Sequence, residues 1–155
     1  MNTLIAYFSA SGVTGRAAKE MAEATGADLY EIRPQEPYTS ADLDWTDKKS
    51  RSTLEMNDPS CRPAIAKPVQ NMDQYDTVLV GFPIWWYVEP RIVDTFLESY
   101  DFSGKRLIPF ATSGGSGIEK AEESLKEHCP AAAWEKGQLL NGSQGAAWAK
   151  QILKG

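Results

Sequence analysis

Apolar residues along this chain gather in short continuous runs, and each run is followed by a turn signal and then by residues spaced for a helix. Leu4 to Phe8 is the first run, unbroken by polar residues, which suits a strand covered on both faces in a parallel sheet. Past a turn at Ser9 to Gly12, the residues Val13, Ala17, Ala18, Met21 and Ala22 share one side of a predicted helix from Val13 to about Thr25, and Gly26 stops it. Ala27 to Ile32 reads as a second strand whose polar alternation places it at a sheet edge. From Arg33 to Lys67 the pattern turns polar and proline-punctuated, with one predicted helix at about Ala41 to Met56. That stretch lacks apolar residues for a core of its own, so it reads as a surface excursion within a crossover.

Tyr75 to Phe82 is the clearest strand. After a loop at Pro83 to Glu89, Pro90 stands where a helix can begin, with Ile92, Val93, Phe96, Leu97 and Tyr100 as its buried stripe. Lys105 to Ala111 predicts another strand, although Pro109 cannot donate to a ladder and sits awkwardly in a central position. A helix follows at about Ile118 to Glu127, then a strand placed either at Ala132 to Trp134 or nearer Leu139, and a last helix at about Ser143 to Leu153. Strand and helix alternate throughout, the pattern of a doubly wound α/β sheet with right-handed crossovers.

At 155 residues the chain fits a single domain. The formal charge of -5 leaves no dense Lys/Arg footprint, which excludes nucleic acid as a partner. Met1-Asn2-Thr3 leads into the first strand without a basic flank or a cleavage site, and no apolar stretch nears the roughly 20 residues that span a bilayer, so a cytoplasmic protein without membrane contact is expected. Cys61 and Cys129 are far apart, and His128 is the sole histidine, so local spacing builds neither a zinc site nor a redox dithiol. His128 reads as a partner of a helix C-terminus, and Arg16 as a solvated or phosphate-flanking cation.

Ligands of open α/β sheets sit outside the carboxyl ends of the strands, where three loops qualify. Ser9 to Thr14 places hydroxyls and Gly12 at a helix N-terminus, which suits a phosphate, although Ser and Thr there serve equally as helix caps. The loop has no P-loop lysine, no G-x-G-x-x-G and no acidic residue ending the strand, which disfavours a nucleotide hydrolase, a nicotinamide site and a phospho-receiver in turn. Pro83 to Glu89 sets Trp85, Trp86 and Tyr87 on a rim, available to a flat aromatic ligand or as cover for the core. Thr112 to Gly117 combines backbone freedom with small hydroxyls, and its amides suit the polar edge of a flavin ring.

Tyr7 to Thr14, Pro83-Ile84-Trp85-Trp86 and Thr112 to Gly117, in that order, resemble the motifs of short flavodoxin-like proteins of the flavodoxin superfamily, and the likeness runs the length of the chain. The resemblance implies a five-stranded parallel sheet in the order 2-1-3-4-5 with helices on both faces, and non-covalent FMN. It implies phosphate at Ser9, Ser11, Gly12, Val13 and Thr14, and the isoalloxazine against Pro83, Ile84, Trp85 and Trp86 and against Thr112, Ser113, Gly114 and Gly115. Ser11 replaces a commoner threonine and keeps the hydroxyl; Val13 replaces a frequent asparagine and offers only its amide. Implied in turn is electron transfer without a catalytic acid or base, to a redox partner protein, by a monomer or homodimer. The alternatives are an FMN-dependent reductase drawing hydride from NAD(P)H, and a flavin-free binding module on the same fold.

Overall fold

A computed structural model describes residues 2–10, 12–113, 117–140 and 144–153. Its centre is a parallel sheet whose strands run β1 (Asn2–Tyr7), β2 (Asp28–Glu31), β3 (Tyr75–Pro83), β4 (Arg106–Thr112), β5 (Ala133–Trp134) and β6 (Gln138–Leu139). They lie in the order β2-β1-β3-β4-β5, with β6 also paired to β4, so two short strands fill the fifth position. Side chains leave successive strand residues on opposite faces. Leu4, Ala6, Phe8, Val78, Val80 and Phe82 therefore face one layer, while Ile5, Tyr7, Leu79, Ile108 and Phe110 face the other. Helices α3 (Arg91–Glu98) and α4 (Glu119–His128) supply Ile92, Phe96, Ala121 and Leu125 to the first layer. Helices α1 (Val13–Thr25) and α5 (Gly145–Ile152) supply Ala18, Met21 and Ala149 to the second. Each large apolar side chain taken fully out of water contributes about 1.5–3 kcal/mol, which is why unbroken apolar strands end up between two helical layers.

Pro109 does lie in a central strand, and the sheet accommodates it by breaking its neighbour. Lys105, Leu107 and Ala111 present their carbonyls to the fifth position, accepting from Ala133 N, Glu135 N and Leu140 N. Alternation puts the donor-less Pro109 nitrogen on that same side, and there the fifth strand is interrupted, shifting register by one residue between β5 and β6. Gly137 fills the break, where an added Cβ would stand 2.3 Å from the Pro109 carbonyl oxygen. Both sequence placements of this strand thus hold, one for each half.

The polar excursion departs from the sequence reading in its helix, which covers only Arg51–Met56 (α2). Upstream, Thr39 and Asp42 cap each other reciprocally and open a single turn, but the Asp44 and Asp47 carboxylates then accept from the main-chain amides of Thr46 and Lys49, a local bonding that competes with continuing the helix. The excursion closes at its base through Gln35 N to Ala64 O and Ala66 N to Arg33 O. Arg62 clamps it to α3 through two bonds to Glu98, and Arg91 reaches the Met56 carbonyl at 2.7 Å. Its Tyr38 packs edge-on against Phe8 and Trp85, so this crossover forms one wall beside the second loop.

Candidate functional site

β1, β3 and β4 are neighbours, and their carboxyl ends bring the three loops together. The pairings Tyr7 with Gly81 and Pro83 with Thr112 close the sheet there. Ile84 N donates to the Thr112 carbonyl at 2.9 Å, and the buried Thr14 and Thr112 hydroxyls bond each other at 2.8 Å. One bond thus ties the second loop to the third, and the other ties the first to the third.

In the first loop Gly12 is the N-cap of α1, with φ at 94°, a left-handed conformation open to glycine at no steric cost. Having no side chain, it cannot itself cap the first turn. Ser9 Oγ accepts from Gly12 N and Gly15 N, both at 3.1 Å, so this residue does act as a helix cap while its own proton stays uncommitted by those bonds. Among the described residues nothing accepts from the Val13 or Thr14 amides, which stand at the positive end of the helix dipole. Val13, expected on the buried side of α1, is 47% exposed instead, because Thr14 takes the inward position at the first turn. Thr14 commits its hydroxyl to Thr112, so toward an anion it offers its main chain. Ser11 lies outside the described residues.

The second loop contains a two-residue turn closed by Trp85 N to Val88 O and Val88 N to Trp85 O. Trp86 and Tyr87, its central residues, have φ of 48° and 75°. Positive φ at both positions is the signature of a type I′ turn, a conformation that normally selects Asn-Gly and costs other residues roughly 1–2 kcal/mol each. The turn divides the aromatic cluster by role. Trp85 stands edge-on to Phe8 and Tyr38, each at 5.7 Å, and caps the core. Trp86 and Tyr87 are exposed, with Lys120 Nζ 4.9 Å from the Tyr87 ring centre. Pro83 and Ile84 are half-buried below the turn, and Ser113 is half-buried in the third loop. Gly114 and Gly115 fall outside the described residues.

A cleft of about 420 Å³ opens onto the first loop from the β2 side, lined by Tyr7, Ser9, Gly12, Gly15, Arg16, Lys19 and Glu31. Arg16 and Lys19 put two cations beside the helix end and its open Val13 and Thr14 amides, which favours an anion there. The aromatic turn does not line this cleft. These donors fit a phosphoryl group: amides without acceptors, a hydroxyl, a glycine whose bare Cα leaves the approach open, and flanking cations.

Sequence reasoning missed a second cluster entirely. Glu89 and Asp94 are both fully buried, and His128 at the end of α4 lies against them. His128 does bond a helix carbonyl, Nδ1 to Ser124 O at 2.8 Å, as its position foretold. Burial raises the Glu89 carboxyl well above its usual range, helped by the neighbouring Asp94, and burial likewise raises Asp94. No local spacing could reveal this group, since α4 meets the second loop only through the fold.

The flavodoxin family model matches residues 2–154. No curated protein matches the chain. A candidate flavoprotein from Bacteroides uniformis is 52% identical over 99% of this chain and 98% of its own, with a TM-score of 0.92. Another from Bacteroides eggerthii is 47% identical over the same shares, with a TM-score of 0.93. A Lactobacillus acidophilus flavoprotein solved in complex with FMN is 22% identical, covers 96% of this chain and 99% of its own, and superimposes with a TM-score of 0.72, a likeness of fold.

Proposed function

This chain belongs to the flavodoxin family, and from that premise we propose that it binds one FMN non-covalently at the carboxyl ends of β1, β3 and β4 and serves in electron transfer. The N-terminus of α1 carries the proposal, since it offers the open Val13 and Thr14 amides, the Ser9 hydroxyl and the nearby Arg16 and Lys19 to a doubly charged phosphoryl group. When bound, FMN supplies the redox chemistry, and the protein's part is binding, orientation and electrostatics.

Each residue then has a distinct task. Gly12 keeps the helix mouth clear and Ser9 holds the loop closed around it. Trp85 is already spent on Phe8 and Tyr38, so Trp86 is the tryptophan free to lie against the isoalloxazine. Its strained turn holds the ring at the rim before any ligand arrives, which lowers the ordering cost of binding. In this reading Thr112, through its main chain, and Ser113 face the polar edge of the ring, and Ser11, Gly114 and Gly115 join them on the strength of sequence alone. Nothing in this set must donate or abstract a proton, which agrees with a carrier that exchanges electrons with a redox partner protein.

The test begins with the colour and flavin content of the purified full-length chain, followed by anaerobic titration of the flavin-loaded protein with NAD(P)H. One equivalent of FMN that bleaches only when a partner reductase is added is the expected result. Rapid bleaching by NAD(P)H alone would replace the carrier by a reductase. Failure to take up added FMN would leave a flavin-free module on the same fold.

A further inference from the structure

The cluster between the second loop and the α3–α4 layer is unused by the electron-transfer reading, yet its burial demands a partner. Glu89 and Asp94 are 0% exposed. As carboxylates, Glu89 Oε1 and both Asp94 oxygens have no hydrogen-bond donor among the described residues. Glu89 Oε2 alone has one, Ser124 Oγ at 2.9 Å. The Arg91 guanidinium stands 3.9 Å from Asp94 Oδ2 and directs donors to the Glu55 and Met56 carbonyls. Leaving two buried carboxylates so poorly matched costs several kcal/mol for each ion.

We propose that Glu89, Asp94 and His128 form a binding site for a divalent transition-metal cation of the zinc type, taken up through a carboxylate oxygen from each acid and through imidazole Nδ1. Ligating atoms of all three residues lie within 4.8 Å of one another. His128 Nδ1 is 3.6 Å from Glu89 Oε2 and 3.5 Å from Asp94 Oδ1, too far for hydrogen bonds. Those separations match the edge of a tetrahedron with metal–ligand bonds of about 2.1 Å, an edge of about 3.4 Å. Two carboxylates balance a dication, and the imidazole selects zinc-like metals over calcium or magnesium, which prefer all-oxygen shells. Binding requires Nδ1 to give up its proton and its bond to the Ser124 carbonyl, the other ring nitrogen then carrying the hydrogen.

A proton shared between the carboxyls is the rival neutraliser. It can occupy two of the three unmatched oxygens and leaves the third, whereas one dication takes a carboxylate oxygen from each acid and the imidazole together. Ser124 Oγ on Glu89 is the supporting hydrogen bond that metal-ligating carboxylates commonly carry. His128, with a side chain 20% exposed, gives the ion its way in.

The experiment uses the full-length, flavin-loaded chain, stripped with a chelator and dialysed, then titrated with Zn²⁺ by calorimetry and with Co²⁺ by visible absorption. The wild type is expected to bind one equivalent, with a four-coordinate cobalt spectrum lacking a thiolate charge-transfer band. His128→Gln, at a partly exposed position that should fold, is expected to weaken binding at least tenfold while near-UV circular dichroism stays unchanged, and Asp94→Asn should act likewise. No saturable binding, or binding indifferent to His128→Gln, overturns the site. So does a thiolate band, which would move the metal to Cys61 or Cys129, whose thiols burial holds in the protonated form. An infrared signature of a neutral carboxyl at pH 7 in a protein that takes no metal assigns the shared proton instead.

Discussion

The turn at Trp86 and Tyr87 separates backbone strain from ligand binding in one pair of variants. At Trp86 (φ 48°) both Trp86→Ala and Trp86→Gly delete the indole, so they lose the same packing and the same stacking surface, and they differ only in the Cβ. At an ordinary position glycine is the less stable of the two by roughly 0.5–1 kcal/mol, through its chain entropy. Here the Cβ costs roughly 1–2 kcal/mol, so the order should invert, with the glycine variant more stable than alanine by about 0.5–1 kcal/mol. For a chain of this length that difference corresponds to about 1–4 °C in Tm. Urea denaturation of the apoprotein reads it directly. Both variants should bind FMN more weakly than wild type by about the same factor, since a stacked aromatic contact contributes about 0.5–1.5 kcal/mol, or roughly 2- to 13-fold in Kd by fluorescence quenching. Alanine equal to or better than glycine would refute the strained turn. Unchanged Kd in both would refute Trp86 as the stacking surface while leaving the turn intact.

Gly12→Asp should fold, because aspartate tolerates the left-handed region better than most residues, but its carboxylate would face the phosphoryl group across a few ångströms; at least about a tenfold loss of FMN affinity is expected, read as flavin content after purification. Thr14→Val strands a buried Thr112 hydroxyl and should cost about 1–3 kcal/mol; Thr112→Val should cost a similar amount. The double variant should cost less than their sum, and strict additivity in urea melts would show that the two hydroxyls are not coupled. Gly137→Ala drives a methyl against the Pro109 carbonyl, with an expected loss of about 1–3 kcal/mol and a Tm lower by roughly 2–12 °C; a wild-type Tm would contradict the account of the broken fifth strand.

Much of the candidate site was legible in one dimension. A strand end, its turn and the helix mouth that follows are contiguous, so the order of Ser9, Gly12 and Val13 alone puts a hydroxyl, a glycine and a helix-end amide side by side, the grouping proposed above to hold a phosphate. What contiguity could not assign is role. Trp85 and Trp86 are adjacent and chemically identical, yet two positive φ values at the turn leave one half-buried against the core beside Phe8 and the other on the rim. Thr14 looked like a phosphate donor through its hydroxyl, and the hydroxyl went to Thr112, almost a hundred positions away. The helix expected at Ala41 to Met56 stopped after its first turn because the Asp44 and Asp47 side chains captured the Thr46 and Lys49 amides that its continuation needed.

By itself the sequence determined the alternation of strand and helix, the two-layer burial of apolar runs and the identity of the three loops, because each of these depends on residues within one turn or one pleat of each other. The tertiary structure alone decided the break in the fifth strand opposite Pro109, the division of labour between the tryptophans, and the meeting of Glu89 and Asp94 with His128. Those depend on which surfaces the sheet brings together, and contact between surfaces distant in the chain is settled by packing, for which local spacing carries no code.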